Sequence, residues 1–167
     1  MMNDKTLKTM FSHDTVEWFT PPYLFEAYNQ IYHFVLDPCT SKDNPLGCKY
    51  FYTKEDDGLS KNDWSIGNVW INPPYGREIE KWVAKGKAHA TAGKGTVVML
   101  LPGRIDTRWF HRYIWDRLKG TPQDGVDFEP LEGRVKFLTA TGDQSNSPAF
   151  PSMVVTFFKM EEREREK

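Results

Sequence analysis

The chain alternates between short apolar runs and longer stretches with apolar residues at helical spacing. Runs of four to six mostly apolar residues are typical of strands buried in a sheet, and they lie at residues 34–37, 50–53, 69–72, 96–101 and 153–158. A further strand is predicted at residues 134–137. Helices are predicted over residues 21–32, 78–92 and 106–119, with Thr20 as the N-cap of the first helix and Asp106 as the N-cap of the third.

Alternation of buried strands with helices predicts an α/β fold, with a mostly parallel sheet and helices on both faces. Ligands of such sheets bind beyond the carboxyl ends of the strands. That edge would bring together Asp37, Asn72 and the residues that follow Leu101. We expect one domain over residues 1–160 and a charged, frayed tail over residues 161–167.

Composition limits the classes of protein that the chain can represent. With 167 residues and 39% hydrophobic residues, it is long and apolar enough to form a core. No apolar stretch approaches the roughly 20 residues that span a bilayer, and the first residues lack a leader pattern, so we expect a cytoplasmic protein and no membrane partner. Cys39 and Cys48 are too few for a disulfide framework and are predicted to be free thiols.

Charge is unevenly distributed, although the net charge is −1. Residues 76–119 carry ten Lys and Arg against four Asp and Glu, whereas the segments on either side are acidic. Within this basic segment Arg104, Arg108 and Arg112 have i, i+4 spacing, so a helix there would place all three on one face. Such a stripe suits an enzyme that acts on a polyanion, and it equally suits a solvated helix face.

The most informative motif is Asn72, Pro73, Pro74 and Tyr75, at the end of the apolar run 69–71. The Asn72 side-chain oxygen and the Pro73 backbone carbonyl could accept hydrogen bonds from an amino nitrogen whose lone pair is delocalised, as in adenine. These acceptors would stabilise the positive charge that develops as a methyl group arrives. The prolines restrict φ and carry no competing N–H, and Tyr75 offers a ring on which an extruded base can stack.

Taken in order, the motifs resemble the phage-type DNA N-6-adenine methyltransferase (Dam) family. The resemblance covers roughly residues 18–158. It depends on the motif at 72–75 and on five other segments, at residues 18–24, 36–39, 57–64, 97–110 and 133–152. It implies a Rossmann-like methyltransferase fold, DNA as the substrate, a bacterial host cell and S-adenosylmethionine as the cofactor.

The resemblance also implies which residues hold that cofactor: Trp18, Thr20, Pro21, Asp37, Pro38, Asp57 and Leu59. In this scheme Thr20 and Pro21 contact the methionine part, and the Asp37 carboxylate binds its ammonium group. Asp57 accepts a hydrogen bond from the adenine amino group of the cofactor, beside Leu59. Trp18 walls the pocket together with Trp64.

For the DNA, the resemblance implies that Phe137 faces Tyr75 across a flipped base. Two features depart from the usual methyltransferase pattern. The loop after residue 36 has no glycine before Gly47, although glycine commonly allows backbone to approach the cofactor. No segment is long enough for a separate recognition domain, so only residues 120–133 and 140–148 would be free to act as reading loops.

Three other functions compete with adenine methylation. Asn-Pro-Pro-Tyr also occurs in enzymes that methylate a glutamine side chain in a protein, whose amide nitrogen has a similarly delocalised lone pair. A catalytically silent DNA-binding or regulatory protein could keep the same fold. A metal-dependent nuclease is disfavoured: Asp56, Asp57 and Asp63 cluster without an accompanying lysine pattern, so no metal site is predicted, and the prolines would have no role.

Overall fold

A six-stranded sheet forms the centre of the protein. The computed structural model describes residues 18–62, 64–65, 67–139, 142–143 and 148–161. The strands in chain order are β1 Leu36–Asp37, β2 Tyr50–Phe51, β3 Val69–Ile71, β4 Val97–Pro102, β5 Trp115–Asp116, β6 Thr121–Pro122, β7 Val126–Pro130 and β8 Ser152–Phe157. Across the large sheet they are ordered β2-β1-β3-β4-β8-β7, while β5 and β6 form a separate hairpin.

The large sheet is mixed. Strands β2, β1, β3 and β4 are parallel to one another, with Leu36 opposite both Tyr50 and Val69. Strand β8 runs antiparallel to both β4 and β7. From β1 the chain continues to β2, which lies on one side of the β1–β3 pair. From β3 it continues to β4, which lies on the opposite side of that pair. The order therefore reverses between the carboxyl ends of β1 and β3, which is where open α/β sheets bind ligands.

Helices cover both faces of this sheet, and the predicted α/β class is confirmed. Helix α1 spans Pro22–Tyr32, α2 spans Ile79–Thr91 and α3 spans Arg108–Tyr113. Side chains of a strand alternate between faces, so Trp70 of β3 packs with α1 residues while Val69 and Ile71 pack with α2 and α3 residues. Strand β4 is buried at all six positions, as expected between two layers of helices.

The third predicted helix is wrong in length and in its cap. Helix α3 ends at Tyr113 rather than near residue 119, and the N-cap is Thr107, whose hydroxyl accepts a hydrogen bond from the Phe110 N–H. Beyond it, the Asp116 carboxylate accepts from the N–H groups of Leu118 and Lys119. Aspartate commonly offers the backbone such an alternative to the helix, and here it forms the turn of the β5–β6 hairpin.

The strand predicted at residues 134–137 is also wrong. Val135 and Phe137 are buried and Arg134 and Lys136 are exposed, which is the alternation of a half-buried strand. The segment nevertheless has no strand beside it, and an isolated bridge between Phe19 and Leu138 is its nearest β pairing. The alternation therefore reflects packing on one face of the sheet and not membership of the sheet.

The expectation that residues 120–133 act as a free reading loop is likewise wrong, because they contain β6 and β7, and β7 forms an edge of the sheet. Of the second predicted loop, residues 140–141 and 144–147 lie outside the described residues, as do Asp63 and most of the charged tail. The domain boundary at residue 160 stays a prediction. Among the described residues, no helix is both long and apolar enough to cross a bilayer.

Candidate active site

A cavity of about 630 Å³ opens at the carboxyl edge of the parallel strands. Its volume is within the usual range for a small-molecule site. Nine of the residues singled out in the sequence line it: Trp18, Thr20, Asp37, Pro38, Asp57, Leu59, Asn72, Pro73 and Pro74. Asp37 ends β1 and Asn72 directly follows β3, so the reversal in strand order brings these two side chains into one pocket.

The side chain of Asn72 is held by the segment that precedes α1. Its Nδ2 donates to the carbonyl oxygen of Trp18 at 2.6 Å and to the Thr20 hydroxyl at 3.1 Å. Its Oδ1 is buried and has no hydrogen-bond partner among the residues that the structure describes. A buried acceptor without a partner typically costs about 1–3 kcal/mol, so this oxygen is suited to accept a hydrogen bond from a bound molecule.

The position of Thr20 corrects one prediction. The N-cap of α1 is Pro21, and no side chain in the described ranges caps that helix end. The Thr20 hydroxyl instead accepts from Asn72, and the residue is buried at 7% exposure. Pro21, predicted to contact the cofactor, is not among the residues that line the cavity; its carbonyl accepts from the Leu24 N–H at the start of the helix.

The backbone of Asn72 is held from the other side. The Cys39 thiol donates to the Asn72 carbonyl oxygen at 3.1 Å. Burial raises the pKa of this thiol well above its usual value, with a further increase from the nearby Asp37, so it stays protonated and able to donate at neutral pH. Side chain and backbone of Asn72 are therefore both restrained while its side-chain oxygen is left unpaired.

Asp37 is a buried carboxyl group at 3% exposure. Burial raises its pKa to about 7, although hydrogen bonds from the Cys39 N–H and the Thr40 side chain act in the opposite direction. No basic side chain among the described residues lies within ion-pair distance of it. A buried carboxylate without a counter-ion is a favourable partner for a cation, and a ligand ammonium group fits this position.

The loop that carries Asp57 and Leu59 is fixed against the end of β1. A Cβ added to Gly58 would lie 2.1 Å from the Pro38 carbonyl oxygen, so only glycine permits this approach. Trp64 Nε1 donates to the Gly58 carbonyl at 2.9 Å, and the Lys85 ammonium donates to the carbonyls of Leu59 and Lys61. Trp64 therefore holds the loop through this hydrogen bond but, unlike Trp18, does not line the cavity. The prediction that Trp64 forms part of the cavity wall is wrong.

Tyr75 and Phe137 are in direct contact and do not face each other across a gap. Their ring centroids are 6.1 Å apart with an interplanar angle of 87°, and Phe150 meets Tyr75 edge-on at 5.4 Å. Phe137 is fully buried, and neither Tyr75 nor Phe137 lines the cavity. A base could enter between these rings only if they separated, so the pairing of Phe137 with a flipped base stays a prediction.

The three arginines do not form the predicted stripe. Arg104 precedes α3, and its guanidinium pairs with Asp106 at 3.6 Å. Arg108 and Arg112 do lie on α3, and Arg112 pairs with Glu80 at 2.8 Å. All three are exposed, and surface pairs of this kind contribute only about 0–1 kcal/mol. Arg104 follows the carboxyl end of β4, on the edge where the cavity lies.

Sequence reasoning missed several residues of the cavity. Cys39 was interpreted only as a free thiol, and Lys42, Lys54, Arg77 and Trp82 were not singled out, yet all five line the pocket. Arg77 lies two residues after Tyr75, the last residue of the motif at 72–75, and that proximity was an available signal. Across the described ranges, no group of three His, Cys, Asp or Glu side chains converges to hold a metal ion.

Comparison with known proteins identifies the family. The family model described as DNA N-6-adenine-methyltransferase (Dam) matches residues 8–166, nearly the whole chain. A DNA N-6-adenine-methyltransferase of Escherichia phage T1 is 32% identical over 97 residues, which cover 56% of this chain and 38% of that protein. The chain thus matches about two fifths of the length of this relative. With the family model matched over most of its residues, the chain belongs to the DNA N-6-adenine-methyltransferase (Dam) family.

Proposed function

We propose that this protein transfers a methyl group from S-adenosylmethionine to the exocyclic N6 of adenine in DNA. The single observation that supports this most strongly is the unpaired, buried Oδ1 of Asn72 beside a cavity of ligand size. The family match and the phage relative favour the same reaction. The fold is proposed to be of the Rossmann-like methyltransferase type, since the reversal of strand order lies between β1 and β3.

The role of Asn72 is electrostatic. Its Oδ1 accepts a hydrogen bond from one N–H of the target amino group, and the Pro73 carbonyl accepts from the other. As the nitrogen takes up the methyl group it becomes positively charged, and the two oxygens stabilise that charge without reorganising. The new N–C bond forms as the bond between the methyl group and the sulfur of the donor breaks, which leaves a neutral thioether. No base is required before transfer, because the amino proton becomes acidic only after the new bond has formed and then passes to solvent.

The cofactor fits the residues around Asp37. When bound, S-adenosylmethionine supplies an electrophilic methyl group on a sulfonium centre. Asp37 would bind its ammonium group, Asp57 would accept from its adenine amino group, and Leu59, Pro38 and Trp18 would pack against it. Thr20 is proposed to contact both this ligand and Asn72. Pro21 does not line the cavity, so its proposed part in cofactor binding is only to end the segment that carries Thr20.

The DNA is proposed to bind across the carboxyl edge of the sheet with the target adenine out of the duplex, because a stacked and paired base cannot be reached. Arg104, Arg108 and Arg112 supply positive charge beside this edge. Phosphate contacts of this kind provide affinity without sequence information. Tyr75 is proposed to stack on the extruded base once the Phe150 edge moves aside, with Phe137 supporting Tyr75 from the core.

One experiment tests the reaction directly. The purified protein is incubated with unmethylated DNA and S-adenosylmethionine carrying a labelled methyl group, and the DNA is digested to nucleosides. Labelled N6-methyladenine is expected with the wild type and not with Asn72→Ala. Calorimetric titration with the cofactor is the companion measurement: cofactor binding without labelled DNA would favour a different acceptor such as a protein amide, and no binding at all would favour a silent DNA-binding protein.

A further inference from the structure

The carboxamide of Asn72 could in principle present either its oxygen or its nitrogen to a bound base. The Trp18 carbonyl decides between them, because a carbonyl oxygen accepts hydrogen bonds and cannot donate. At 2.6 Å from Trp18, only the nitrogen of the carboxamide is tolerated. The Thr20 hydroxyl, 3.1 Å from the same nitrogen, provides a second acceptor. Both N–H groups are therefore engaged, whereas Oδ1 has no partner within the described part of the chain.

We infer that the Trp18 carbonyl and the Thr20 hydroxyl make Asn72 a filter that admits an exocyclic amino group and rejects an exocyclic keto group. The inference deepens the proposed function and rests on it. An amino group, as on adenine N6, presents a donor to Oδ1, whereas guanine O6 and thymine O4 present acceptors. The keto oxygen of the base and Oδ1 of Asn72 would then face each other in a buried site, and neither carries a proton to donate. Burying two acceptors without a donor costs free energy, so a keto base would bind less tightly.

The filter does not distinguish every base. Cytosine N4 is also a donor, so the restriction to a purine has to come from the shape of the rest of the site. The filter does define a role for Thr20 that differs from contact with the cofactor. Thr20 is a positioning residue: its hydroxyl lies in a buried position against the Asn72 amide, and it acts on the base only through Asn72.

Two substitutions separate this role from simple packing. Thr20→Val keeps the shape of the side chain and removes the acceptor. The Trp18 carbonyl still selects the nitrogen, but the carboxamide loses one of its two anchors, so the direction of Oδ1 is held less firmly. Thr20→Ser keeps the hydroxyl and removes a methyl group. A purely structural role would make both variants similar, whereas the filter requires that serine restores the selectivity and valine does not.

The measurement is equilibrium binding of a short DNA whose target position carries either adenine or hypoxanthine, the 6-keto analogue. The target is placed opposite an abasic site, so that neither base is paired and the cost of extrusion is equal. S-adenosylhomocysteine is present so that no transfer occurs. We expect wild type and Thr20→Ser to bind the adenine DNA roughly tenfold or more tightly than the hypoxanthine DNA, and Thr20→Val to lose roughly fivefold of that ratio.

Equal binding of both DNAs by the wild type overturns the filter, and it does so without any variant. An unchanged ratio in Thr20→Val overturns the role of Thr20. The methylation assay keeps this separate from the proposed function: a protein that methylates adenine and binds both DNAs equally retains its function without the filter, while a protein that makes no N6-methyladenine loses both.

A measurement without DNA checks the geometry itself. In nuclear magnetic resonance spectra, both side-chain amide protons of Asn72 should exchange slowly with solvent. One of them should shift in Thr20→Val and return close to its original position in Thr20→Ser. If Thr20→Val does not fold, Thr20→Ala replaces it. Rapid exchange of both protons in the folded wild type overturns the proposed anchoring.

Discussion

The thiol of Cys39 donates a hydrogen bond to the carbonyl oxygen of Asn72 at 3.1 Å, across 33 residues of sequence. This bond joins the loop after β1 to the motif after β3, the two strands between which the order of the sheet reverses. It also occupies the main-chain acceptor of Asn72 on the side of the cavity. The loop after β1 and the motif at residues 72–75 are therefore linked through the sulfur atom of Cys39.

Replacing Cys39 should consequently lower stability and cofactor affinity together. Cys39→Ala leaves the Asn72 carbonyl unpaired, and we expect a loss of about 1–3 kcal/mol in the free energy of unfolding, measured by urea denaturation. Cys39→Ser keeps a donor and should recover part of that loss. Cys48→Ala is the matched control: it removes the other thiol, which is buried, so it should lower stability and leave cofactor affinity unchanged. Equal cofactor affinity in Cys39→Ala and wild type would contradict the coupling.

Asn72→Asp should be damaging despite its small change in shape. The new carboxylate would place an acceptor 2.6 Å from the Trp18 carbonyl, where the amide nitrogen now donates. We expect a fall in transfer rate of roughly 100-fold or more, of the size found when one transition-state hydrogen-bonding group is removed. Single-turnover methylation at saturating cofactor measures it. Near-normal turnover in this variant would show that the Trp18 carbonyl does not control the orientation at position 72.

Asp37 should make stability depend on pH. Its pKa is raised to about 7 from an ordinary value of 3.8, so the folded protein holds a proton that the unfolded chain releases. Its contribution to stability is therefore present below pH 4 and is lost as the pH rises towards 7. Asp37→Asn should remove this decline and be the more stable protein at pH 8, by an amount on the order of a few kcal/mol. Parallel pH profiles for the two proteins would contradict the assignment.

The same group should make cofactor affinity depend on pH in the opposite sense. Only the ionised Asp37 can pair with the ammonium group of S-adenosylmethionine, so binding should strengthen as the pH rises through about 7. Between pH 6 and pH 8 the dissociation constant is expected to fall about tenfold. Asp37→Asn should bind weakly at both values. Titration calorimetry at pH 6 and pH 8 tests this. A wild-type affinity that is the same at both pH values would mean that Asp37 has only a structural role.

The arginines beside the cavity can be tested by neutralisation. Arg104→Gln and Arg108→Gln should each weaken DNA binding and reduce the slope of log affinity against log salt by roughly 0.9 if the residue contacts one phosphate. Lys159→Gln is the matched control, because this exposed residue follows the end of β8, on the opposite edge of the sheet. A loss as large in Lys159→Gln as in Arg104→Gln would mean that the charge effect is not local to the cavity.

Substitution of Tyr75 should weaken capture of the target base without weakening cofactor binding. Its ring packs edge-on against Phe137 and Phe150, and its hydroxyl donates to the Leu100 carbonyl at 3.4 Å. Tyr75→Ala should weaken capture of the target base, measured with a fluorescent base analogue, by about 1–3 kcal/mol. Tyr75→Phe keeps the ring and should bind the base nearly as well. Loss of cofactor affinity in Tyr75→Ala would point to a structural role.

Much of the fold could be predicted from the sequence where one local signal dominated. The apolar runs at β3, β4 and β8 required burial on both faces, and they form strands within one or two residues of the expected bounds. Prediction failed where two local preferences competed. The apolar periodicity after residue 106 favours a helix, but the Asp116 side chain stabilises a turn, and the turn is what forms.

The sequence predicted which residues belong to the site better than it predicted the contacts between them. The predicted strand ends placed Asp37 and Asn72 on one edge, and the family resemblance added Asp57 to the cofactor residues. The structure brings all three to the same cavity. The part played by Cys39 could not be predicted, because its donor–acceptor partner is distant in sequence. The direct contact of Tyr75 with Phe137 also depends on how two segments pack.

The sequence by itself determined the α/β class, the family and the chemical character of the motif at 72–75, because these depend on residue type and on spacing along the chain. Only the tertiary structure decided that the Asn72 nitrogen is engaged and its oxygen is not. A carboxamide can turn either way, and which way it turns depends on the acceptors brought against it from a segment more than fifty residues away.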